Sequence, residues 1–479
     1  MTDGFRARCV MVLGTSSGAG KSWLATALCR WYARQGLKVA PFKAQNMSNN
    51  ARVVDGGEIG SAQYFQALAA RALPDVRMNP VLLKPERDDH SQVVVMGRVA
   101  ERMSAMPWRQ RGAALWPVAG EALDQLREDH DVVVIEGAGS PAEINLKDSD
   151  YANMRVALRA KARALLVSDI DRGGAFAHLY GTWSLLEPAE RALLAGFVLN
   201  KFRGDPKLLP PGPRMLEELT GVPTVAIVPM LWGHGLPEED GAFERRETNA
   251  KGARGPLDPR MTIAIVAYPR IGCLDEFQPL ANLPDVRLVW ARRPSDLADL
   301  AEGDWIVLPG SNETAGDLAW LRARGLDNAV CAHAAAGRPV LGICGGLQML
   351  GEALIDTEQV EGNAAGLGLL PLVTRFPPTK IVTRTNATFG ELTGAFGKLS
   401  RVRIDGYEIH QGRTAERIAQ HPAMAAQGNL ARPVLPDGLG WQNGAGNVLG
   451  IYLHGLFEDS RALRALFGAD APTLDTVFD

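Results

Sequence analysis

Several features of membrane-bound and secreted proteins are missing from this sequence of 479 residues. No run of about 18 apolar residues, the length needed to cross a bilayer, occurs in it, and no apolar signal segment stands near its N-terminus. Neither sign of charge is in large excess, because the 51 basic and 54 acidic residues give a net charge of only −3. These absences argue against a nucleic-acid or membrane partner, and we expect a cytoplasmic protein.

Cysteine is scarce as well. The five cysteines are scattered without the spacing of metal ligands, and they are Cys9, Cys29, Cys273, Cys331 and Cys344. In a chain of this length such cysteines are typical of reduced cytosolic thiols, although a single one can serve as a nucleophile. With 46% hydrophobic residues the chain has enough apolar material for two sizeable α/β domains. A homo-oligomer is an open alternative to a monomer.

The stretch Gly14-Thr-Ser-Ser-Gly-Ala-Gly-Lys21-Ser22 is the clearest functional motif of the chain. It follows an apolar run of strand length, Cys9-Val-Met-Val-Leu13. It precedes a run whose apolar residues have helical spacing. Strand, glycine-rich turn and helix in this order are typical of a phosphate-binding loop.

In such a loop the glycines, here Gly18 and Gly20, let backbone N–H groups approach phosphate oxygens, and the helix N-terminus adds its positive dipole. We expect Lys21 to reach the β- and γ-phosphates of ATP and the hydroxyl of Ser22 to bind Mg²⁺. The spacing departs from the strict pattern, because Thr15 occupies the first glycine position. A plain Gly/Ser turn before a helix is the alternative.

Amides and short polar side chains follow the next predicted strand, Leu37–Phe42. Ligands of open α/β sheets bind beyond the carboxyl ends of the strands, so this loop is well placed to hold a substrate or a phosphate. Gln45, Asn46 and Ser48 are the candidates. An ordinary polar loop is the alternative, since these residue types are common in turns.

Polar residues also end three later strands. Glu136 follows a buried apolar run and is a candidate Mg²⁺ ligand, directly or through water, with a turn cap as the alternative. Asp169 and Asp171 suit metal or substrate orientation, although helix capping explains one of them equally well. Asn200 can hydrogen-bond the edge of a nucleotide base, because its amide is both donor and acceptor.

Composition divides the chain into three parts. Residues 1–236 contain the phosphate loop and a series of apolar strands, and residues 260–479 restart the strand pattern. Between them, residues 237–259 are charged and rich in Gly and Pro without apolar periodicity, which is typical of a linker. We therefore predict an α/β protein with two doubly wound domains, each built on a mainly parallel sheet.

A cysteine in the second domain stands at the end of an apolar strand, in Gly-Ile-Cys344-Gly345-Gly. This pattern of strand, glycine turn and helix predicts a nucleophile elbow, and the helix N-terminus favours the thiolate. The N–H of Gly345 and a second donor from the Pro-Gly-Ser311 turn predict an oxyanion hole. A packed core thiol is the alternative for Cys344.

A cysteine nucleophile needs a base within hydrogen-bond reach in the fold. His454, in Tyr-Leu-His-Gly at the end of a predicted strand, is the first candidate. His410, in Tyr-Glu-Ile-His-Gln-Gly, is the second candidate and alternatively a substrate contact.

Cys344 and His454, with the residues around them, resemble a class I glutamine amidotransferase domain. The first half, with its phosphate loop and Glu-Gly-Ala-Gly, resembles the dethiobiotin-synthetase branch of phosphate-loop enzymes. In this order both halves resemble the cobyric acid synthase family. Stretches such as Lys-Ala-Gln-Asn-Met-Ser-Asn-Asn, Ser-Asp-Ile-Asp-Arg-Gly-Gly and Leu-Asn-Lys-Phe-Arg-Gly-Asp extend the resemblance over nearly the whole chain apart from the linker.

The resemblance implies a glutamine-hydrolysing, ATP-dependent carbon–nitrogen ligase of cobalamin biosynthesis. The substrates it implies are L-glutamine and a corrinoid, adenosylcobyrinic acid a,c-diamide, which is amidated at peripheral carboxylates. Ammonia released at Cys344 would displace phosphate from an acyl phosphate made in the first domain. We expect a shielded route between the domains for this ammonia.

Two other interpretations stay open: a sister amidase of the cobyrinic acid a,c-diamide synthase type, and a partitioning or scaffold ATPase with an inactive amidotransferase-like domain. Those ATPases usually carry an extra lysine near the start of the loop, where Ser16 stands here. Most class I amidotransferases have a glutamate two residues after the histidine. This chain has Leu456 at that position, and Glu458 lies two residues further on. The resemblance therefore implies a Cys–His pair acting alone.

Overall fold

The computed structural model describes residues 7–87, 90–231, 234–236, 260–416, 431–468 and 477–479. These residues form two compact units. The first unit comes from the N-terminal half of the sequence together with residues 477–479, and the second comes from the C-terminal half together with the short segment 49–53. The predicted linker, residues 237–259, lies outside the described residues.

Apolar runs of four to nine residues form most of the strands of the N-terminal half. The strands are β1 (Arg8–Gly14), β2 (Val39–Phe42), β3 (Gln45–Met47), β4 (Ala51–Val54), β5 (Gly57–Gly60), β6 (Val81–Arg87), β7 (His90–Val95), β8 (Arg98–Val99), β9 (Val132–Glu136), β10 (Arg163–Asp169), β11 (Leu194–Phe202) and β12 (Thr224–Pro229). The helices are α1 (Lys21–Arg34), α2 (Ser61–Ala69), α3 (Glu101–Ser104), α4 (Trp108–Asp129), α5 (Met154–Ala160), α6 (Ala175–Leu185), α7 (Pro188–Arg191) and α8 (Gly212–Thr220).

The main sheet of the first unit has six parallel strands in the order β12-β11-β10-β1-β9-β2. Its central strand β1 is apolar on both faces, with Met11, Val12 and Leu13 fully buried, as a parallel sheet covered on both sides requires. The carboxyl ends of parallel strands meet at one edge, so the residues that follow β1, β2, β9, β10 and β11 lie at the same edge of the sheet.

Two stretches differ from the prediction. Residues 45–47, expected in a loop, form β3, which pairs in parallel with β6 in a separate four-stranded sheet of order β3-β6-β7-β8. The sequence also predicts a helix over residues 59–73, but the observed helix is shorter, because residues 59 and 60 belong to β5 and α2 ends at Ala69. For β3 the backbone hydrogen-bond partner comes from elsewhere in the chain, so local sequence preference does not predict it.

The C-terminal half has the strands β13 (Met261–Val266), β14 (Val286–Ala291), β15 (Trp305–Leu308), β16 (Val340–Ile343), β17 (Ala353–Ile355), β18 (Ala364–Ala365), β19 (Leu372–Arg375), β20 (Ile381–Thr388), β21 (Arg403–His410), β22 (Arg413–Glu416), β23 (Arg432–Leu435), β24 (Gly440–Gln442) and β25 (Val448–Ile451). Its helices are α9 (Gln278–Ala281), α10 (Thr314–Ala323), α11 (Leu326–Ala335), α12 (Gly345–Leu350) and α13 (Ser460–Phe467). None of the helices within the described ranges is long and apolar enough to cross a membrane.

The main sheet of the second unit has seven strands in the order β14-β13-β15-β16-β25-β24-β23. The first five are parallel, and β24 and β23 continue the sheet in antiparallel pairing. Because β16 and β25 are neighbours, Cys344 after β16 and His454 after β25 leave the same edge of the sheet side by side. The predicted α/β fold with two mainly parallel sheets is confirmed.

Candidate active sites

The glycine-rich loop of the first unit turns between β1 and α1. Gly20 precedes α1 with φ = +95°, and a Cβ there would lie 2.1 Å from the side-chain nitrogen of Asn200. That amide donates to the carbonyl of Ala19 over 2.9 Å, and Lys201 Nζ donates to the carbonyl of Gly18 over 2.7 Å. The end of β11 therefore supports the loop, and the contact of Asn200 with a nucleotide base stays a prediction.

Lys21, the first residue of α1, is buried and its ammonium lies back over the loop. Nζ donates to the carbonyls of Ser16, Ser17 and Gly139 over 2.9, 3.3 and 3.1 Å. Gly139 follows β9, so the ammonium connects the exits of two neighbouring strands. This position suits the predicted role of Lys21 as a counter-charge to nucleotide phosphates.

A buried carboxylate lies next to the loop. Glu136 Oε1 accepts hydrogen bonds from the hydroxyl of Ser22 and the ammonium of Lys43, both over 2.8 Å. Its Oε2 accepts from the amide of Gln66 over 2.6 Å. The structure thus joins the two predicted metal ligands, Ser22 and Glu136, and adds two residues that the sequence analysis missed. In the sequence, the position of Lys43 directly after a predicted strand was the one indication that it lies near this site.

Burial by itself would raise the pKa of Glu136, but the positive charge of Lys43 and the hydrogen bonds from Lys43 and Gln66 outweigh it, so the pKa lies below its ordinary value. Glu136 is therefore an anion at neutral pH. A hydroxyl and an ionised carboxylate side by side form the oxygen donor set that Mg²⁺ prefers. These residues fit the cation that accompanies a bound nucleotide.

The predicted substrate residues lie on or directly after β3. Gln45 Oε1 accepts a hydrogen bond from the hydroxyl of Tyr151 over 2.8 Å. Asn46 and Ser48 are both buried, and the N–H of Ser48 donates to the carbonyl of Leu83 over 3.0 Å. The role of these three residues in substrate binding stays a prediction.

The paired acids after β10 have cationic partners at the end of β11. Lys201 Nζ lies 3.0 Å from Asp169 Oδ2, and Arg203 Nε lies 2.6 Å from Asp171 Oδ1. Asp169 also accepts from the N–H of Asp171 over 3.0 Å. Each carboxylate thus forms an ion pair that connects the end of β10 with the end of β11.

In the second unit, Cys344 occupies the turn between β16 and α12. Its backbone has φ = +52° and ψ = −107°, a conformation that L side chains rarely adopt. A Cβ on Gly346, two residues after Cys344, would lie 1.8 Å from the carbonyl oxygen of Leu308, so glycine is required there. The strained, glycine-dependent turn has the geometry expected of a nucleophile elbow, and it places the thiol at the N-terminus of a helix.

The two predicted oxyanion donors lie against each other. A Cβ on Gly345 would lie 2.8 Å from the backbone nitrogen of Ser311, so the two backbones are in close approach. The Ser311 hydroxyl donates to Asp317 Oδ2 over 2.6 Å, and Asp317 Oδ1 accepts from the N–H of Arg270 over 3.0 Å. Burial raises the pKa of Asp317 to about 7, and these hydrogen bonds oppose it.

His454 lies beside the same turn, because a Cβ on Gly310 would lie 2.9 Å from its Cε1. Its Nδ1 lies 3.1 Å from Glu276 Oε1, and Glu276 Oε2 accepts from the N–H of Gly455 over 3.3 Å. Both side chains are buried. The structure thus places a carboxylate that the sequence analysis did not identify, Glu276, 178 residues earlier in the chain, in hydrogen-bond contact with the imidazole.

Several charges act on His454. Burial would lower its pKa, but the electrostatic interactions with Cys273, Glu276 and Cys344 raise it, and the net pKa lies well above its ordinary value. His454 is thus positioned to carry a proton at neutral pH. Cys273, which is buried, is one of the groups that raise this pKa.

His410, the second candidate base, has other partners. Its Nδ1 lies 2.9 Å from the carbonyl of Gly412, its Nε2 lies 3.1 Å from Glu408 Oε2, and its ring stacks on Tyr452 at 3.9 Å. The Cys344 thiol donates to the carbonyl of the preceding Ile409 over 3.6 Å. His410 therefore belongs to a separate hydrogen-bonded pair near the thiol, and His454 stays the first candidate base.

Comparison with protein families gives a model for each half of the chain. Residues 10–232 match the CobQ/CobB/MinD/ParA nucleotide binding domain. Residues 262–462 match the CobB/CobQ-like glutamine amidotransferase domain. The two candidate sites fall one in each matched region.

Curated relatives match almost the full length. A cobyric acid synthase of Paracidovorax citrulli is 68% identical over 478 residues, which cover 99% of this chain and 95% of the relative. A cobyric acid synthase of Polaromonas naphthalenivorans is 66% identical over 473 residues, covering 99% of this chain and 96% of the relative. A cobyric acid synthase of Variovorax paradoxus is 68% identical over 472 residues, which cover 98% of this chain and 95% of the relative.

Proposed function

This chain belongs to the cobyric acid synthase family, and on that premise we propose that it amidates peripheral carboxylates of adenosylcobyrinic acid a,c-diamide to give adenosylcobyric acid. The nitrogen comes from L-glutamine and the activation energy from ATP. One observation supports this most strongly. A single chain contains both a thiol elbow with a carboxylate-oriented histidine and a phosphate loop with a charged carboxylate beside it.

In the second unit, the Cys344 thiolate attacks the side-chain amide carbon of glutamine and forms a tetrahedral intermediate. The backbone N–H groups of Gly345 and Ser311 bind the oxyanion. His454 gives its proton to the amide nitrogen, so the C–N bond breaks, ammonia leaves and a glutamyl thioester remains. His454 then takes a proton from water, whose attack releases glutamate, while Glu276 holds the imidazole in place.

In the first unit, bound ATP with Mg²⁺ supplies a phosphoryl group that activates the substrate carboxylate toward ammonia. Lys21 and the loop N–H groups neutralise and orient the phosphates. Ser22 and Glu136 are the residues that would hold the cation. Lys43 keeps Glu136 ionised, and Gln45, Asn46 and Ser48 are proposed to contact the corrinoid.

Mass spectrometry of the product tests the assignment. With adenosylcobyrinic acid a,c-diamide, ATP and glutamine, we expect amides to be added to the carboxylates that remain free. Amidation of cobyrinic acid at the a and c positions instead would assign the sister amidase. The Cys344→Ala variant should lose glutamine-dependent product and keep product formation from ammonium. Absence of glutaminase activity in the wild-type protein would favour a scaffold ATPase.

We also propose that the enzyme works in the cytoplasm.

We further propose that the ammonia does not exchange with solvent on its way to the carboxylate. Ammonia that escapes into neutral water is mostly protonated and loses its nucleophilicity. Turnover with unlabelled glutamine in the presence of ¹⁵N-ammonium should therefore give unlabelled amides. Extensive ¹⁵N incorporation under these conditions would contradict a shielded route.

A further inference from the structure

The short segment 49–53 packs in the second unit although it is encoded in the N-terminal half of the sequence. Asn50 Oδ1 accepts from the N–H of Leu274 over 2.9 Å, and the carbonyl of Ala51 accepts from the Cys273 thiol over 3.6 Å. These contacts place the segment beside the turn that carries Glu276. Arg52 is the charged residue of this segment, and its side chain is buried.

The guanidinium of Arg52 joins two carboxylates. Nε donates to Asp275 Oδ2 over 2.6 Å, and Nη2 bonds the same oxygen. Nη1 donates to Glu458 Oε2 over 2.8 Å, and Nη2 also reaches Glu458 Oε1. Burial would lower the pKa of Arg52, but the two carboxylates raise it well above its ordinary value, so the guanidinium stays charged.

Each carboxylate belongs to a short segment that carries part of the proposed base. Asp275 precedes Glu276, whose carboxylate accepts from His454 and from the N–H of Gly455. Glu458 follows His454 by four residues, and its own N–H donates to the carbonyl of Gly455 over 3.0 Å. Arg52 therefore ties the segment of the carboxylate to the segment of the histidine.

A second path leads from Arg52 to the imidazole. The guanidinium lies over the ring of Tyr407, 5.2 Å from its centroid. The ring of Tyr407 also stacks on the imidazole of His454, with centroids 5.2 Å apart and an interplanar angle of 17°. The backbone of Tyr407 and that of His454 also exchange hydrogen bonds over 3.0 and 3.3 Å.

We propose that Arg52 is a positioning residue of the glutaminase reaction, which holds the Glu276–His454 pair in the geometry needed for proton transfer. The proposal rests on the proposed function of Cys344 and His454. It assigns to glutamine hydrolysis a residue from the N-terminal half of the sequence, next to the stretch that carries Gln45, Asn46 and Ser48.

The test uses full-length protein with Arg52→Met, Arg52→Lys and, as the matched control in the same unit, Arg461→Met. Arg461 pairs with Asp459 and Asp405, near the start of α13. For Arg52→Met we expect kcat of glutamine hydrolysis to fall about 10- to 100-fold with KM nearly unchanged, because misplaced reacting groups lower kcat. Amidation from ammonium should continue at the wild-type rate.

The Lys variant should recover part of the loss, since an ammonium keeps the charge but cannot bond both carboxylates in a fixed fork. Arg461→Met should stay within about twofold of wild type. A second readout does not depend on activity. The downfield proton resonance of the His454 Nδ1–H should disappear in Arg52→Met and persist in Arg461→Met.

Wild-type kcat and an unchanged resonance in Arg52→Met would overturn the proposal. If that variant does not fold, Arg52→Gln combined with Asp275→Asn and Glu458→Gln removes the unpaired buried charges and keeps hydrogen-bonding groups. A normal kcat in this triple variant would overturn the proposal equally. Lack of glutaminase activity in the wild type would refute the proposed function instead, while the resonance would still report on the role of Arg52.

Discussion

The two sites differ in how far apart their residues stand in the chain. The nucleotide site is centred on one continuous stretch, Gly14–Ser22, and its carboxylate Glu136 follows the neighbouring strand. The thiol site combines Cys344 with His454 from the next strand, Glu276 from the turn after β13 and Arg52 from the other half of the sequence. A site of continuous residues can be recognised as a motif, whereas a site of distant residues becomes visible only in the fold.

The comparison predicts that the two sites can be disabled separately, and the phosphate-loop lysine should show the largest effect. For Lys21→Met we expect synthesis from either glutamine or ammonium to fall about 10³-fold, because a fixed counter-charge to the phosphates is lost. Basal glutaminase measured without ATP should stay near the wild-type rate. The exposed Lys207→Met is the control. An equal loss of basal glutaminase would show that the two sites are not independent.

The next effect concerns the distant carboxylate. Glu276→Gln should lower kcat of glutamine hydrolysis on the order of 100-fold, since the imidazole loses the anion that orients it. Glu276 is also one of the charges that raise the pKa of His454, so its removal lowers that pKa. The alkaline limb of the kcat profile should therefore move to lower pH. Glu391→Gln, at an exposed ion pair with Arg401, should leave the profile unchanged.

A smaller effect concerns the turn that carries Ser311. The pKa of Asp317 is raised to about 7, so its contribution to stability is complete at low pH and is lost as the pH rises through 7. Between pH 5 and pH 8 the wild type should lose about 2–3 kcal/mol of unfolding free energy relative to Asp317→Asn. Denaturant unfolding at both pH values measures this. The exposed Asp285→Asn should show no such difference from wild type, and a pH-independent gap for Asp317→Asn would contradict the prediction.

The smallest effect concerns the glycine behind the elbow. In Gly346→Ala the new Cβ meets the carbonyl of Leu308, so the turn must shift at a cost of about 1–3 kcal/mol. Thermal unfolding and the alkylation rate of Cys344 should both report the shift. Gly303→Ala is the matched control, because a Cβ there meets nothing within 4 Å. Equal stability of the two variants would show that the close approach at Gly346 is not required.

Local pattern was sufficient for the fold and for the residues of each motif. The parallel sheets follow from apolar runs such as β1 and β16, and the loops after them follow from glycines that permit positive φ or close approach. Glu136 could be selected because it ends a strand beside the phosphate loop. Pattern was insufficient for β3, whose ladder partner is β6, and for Glu276, which has no motif around it.

By itself the sequence determined the α/β class, the phosphate loop, the thiol elbow and the histidine, because each depends on residues that are close in the chain or on a strand end. Only the tertiary structure decided which carboxylate lies within hydrogen-bond distance of His454. That carboxylate is Glu276, whereas Glu458 pairs with Arg52. The physical reason is that a buried imidazole and a buried guanidinium take whichever carboxylates the packing brings within hydrogen-bond distance. That choice depends on how strands and turns pack, and sequence spacing does not record it.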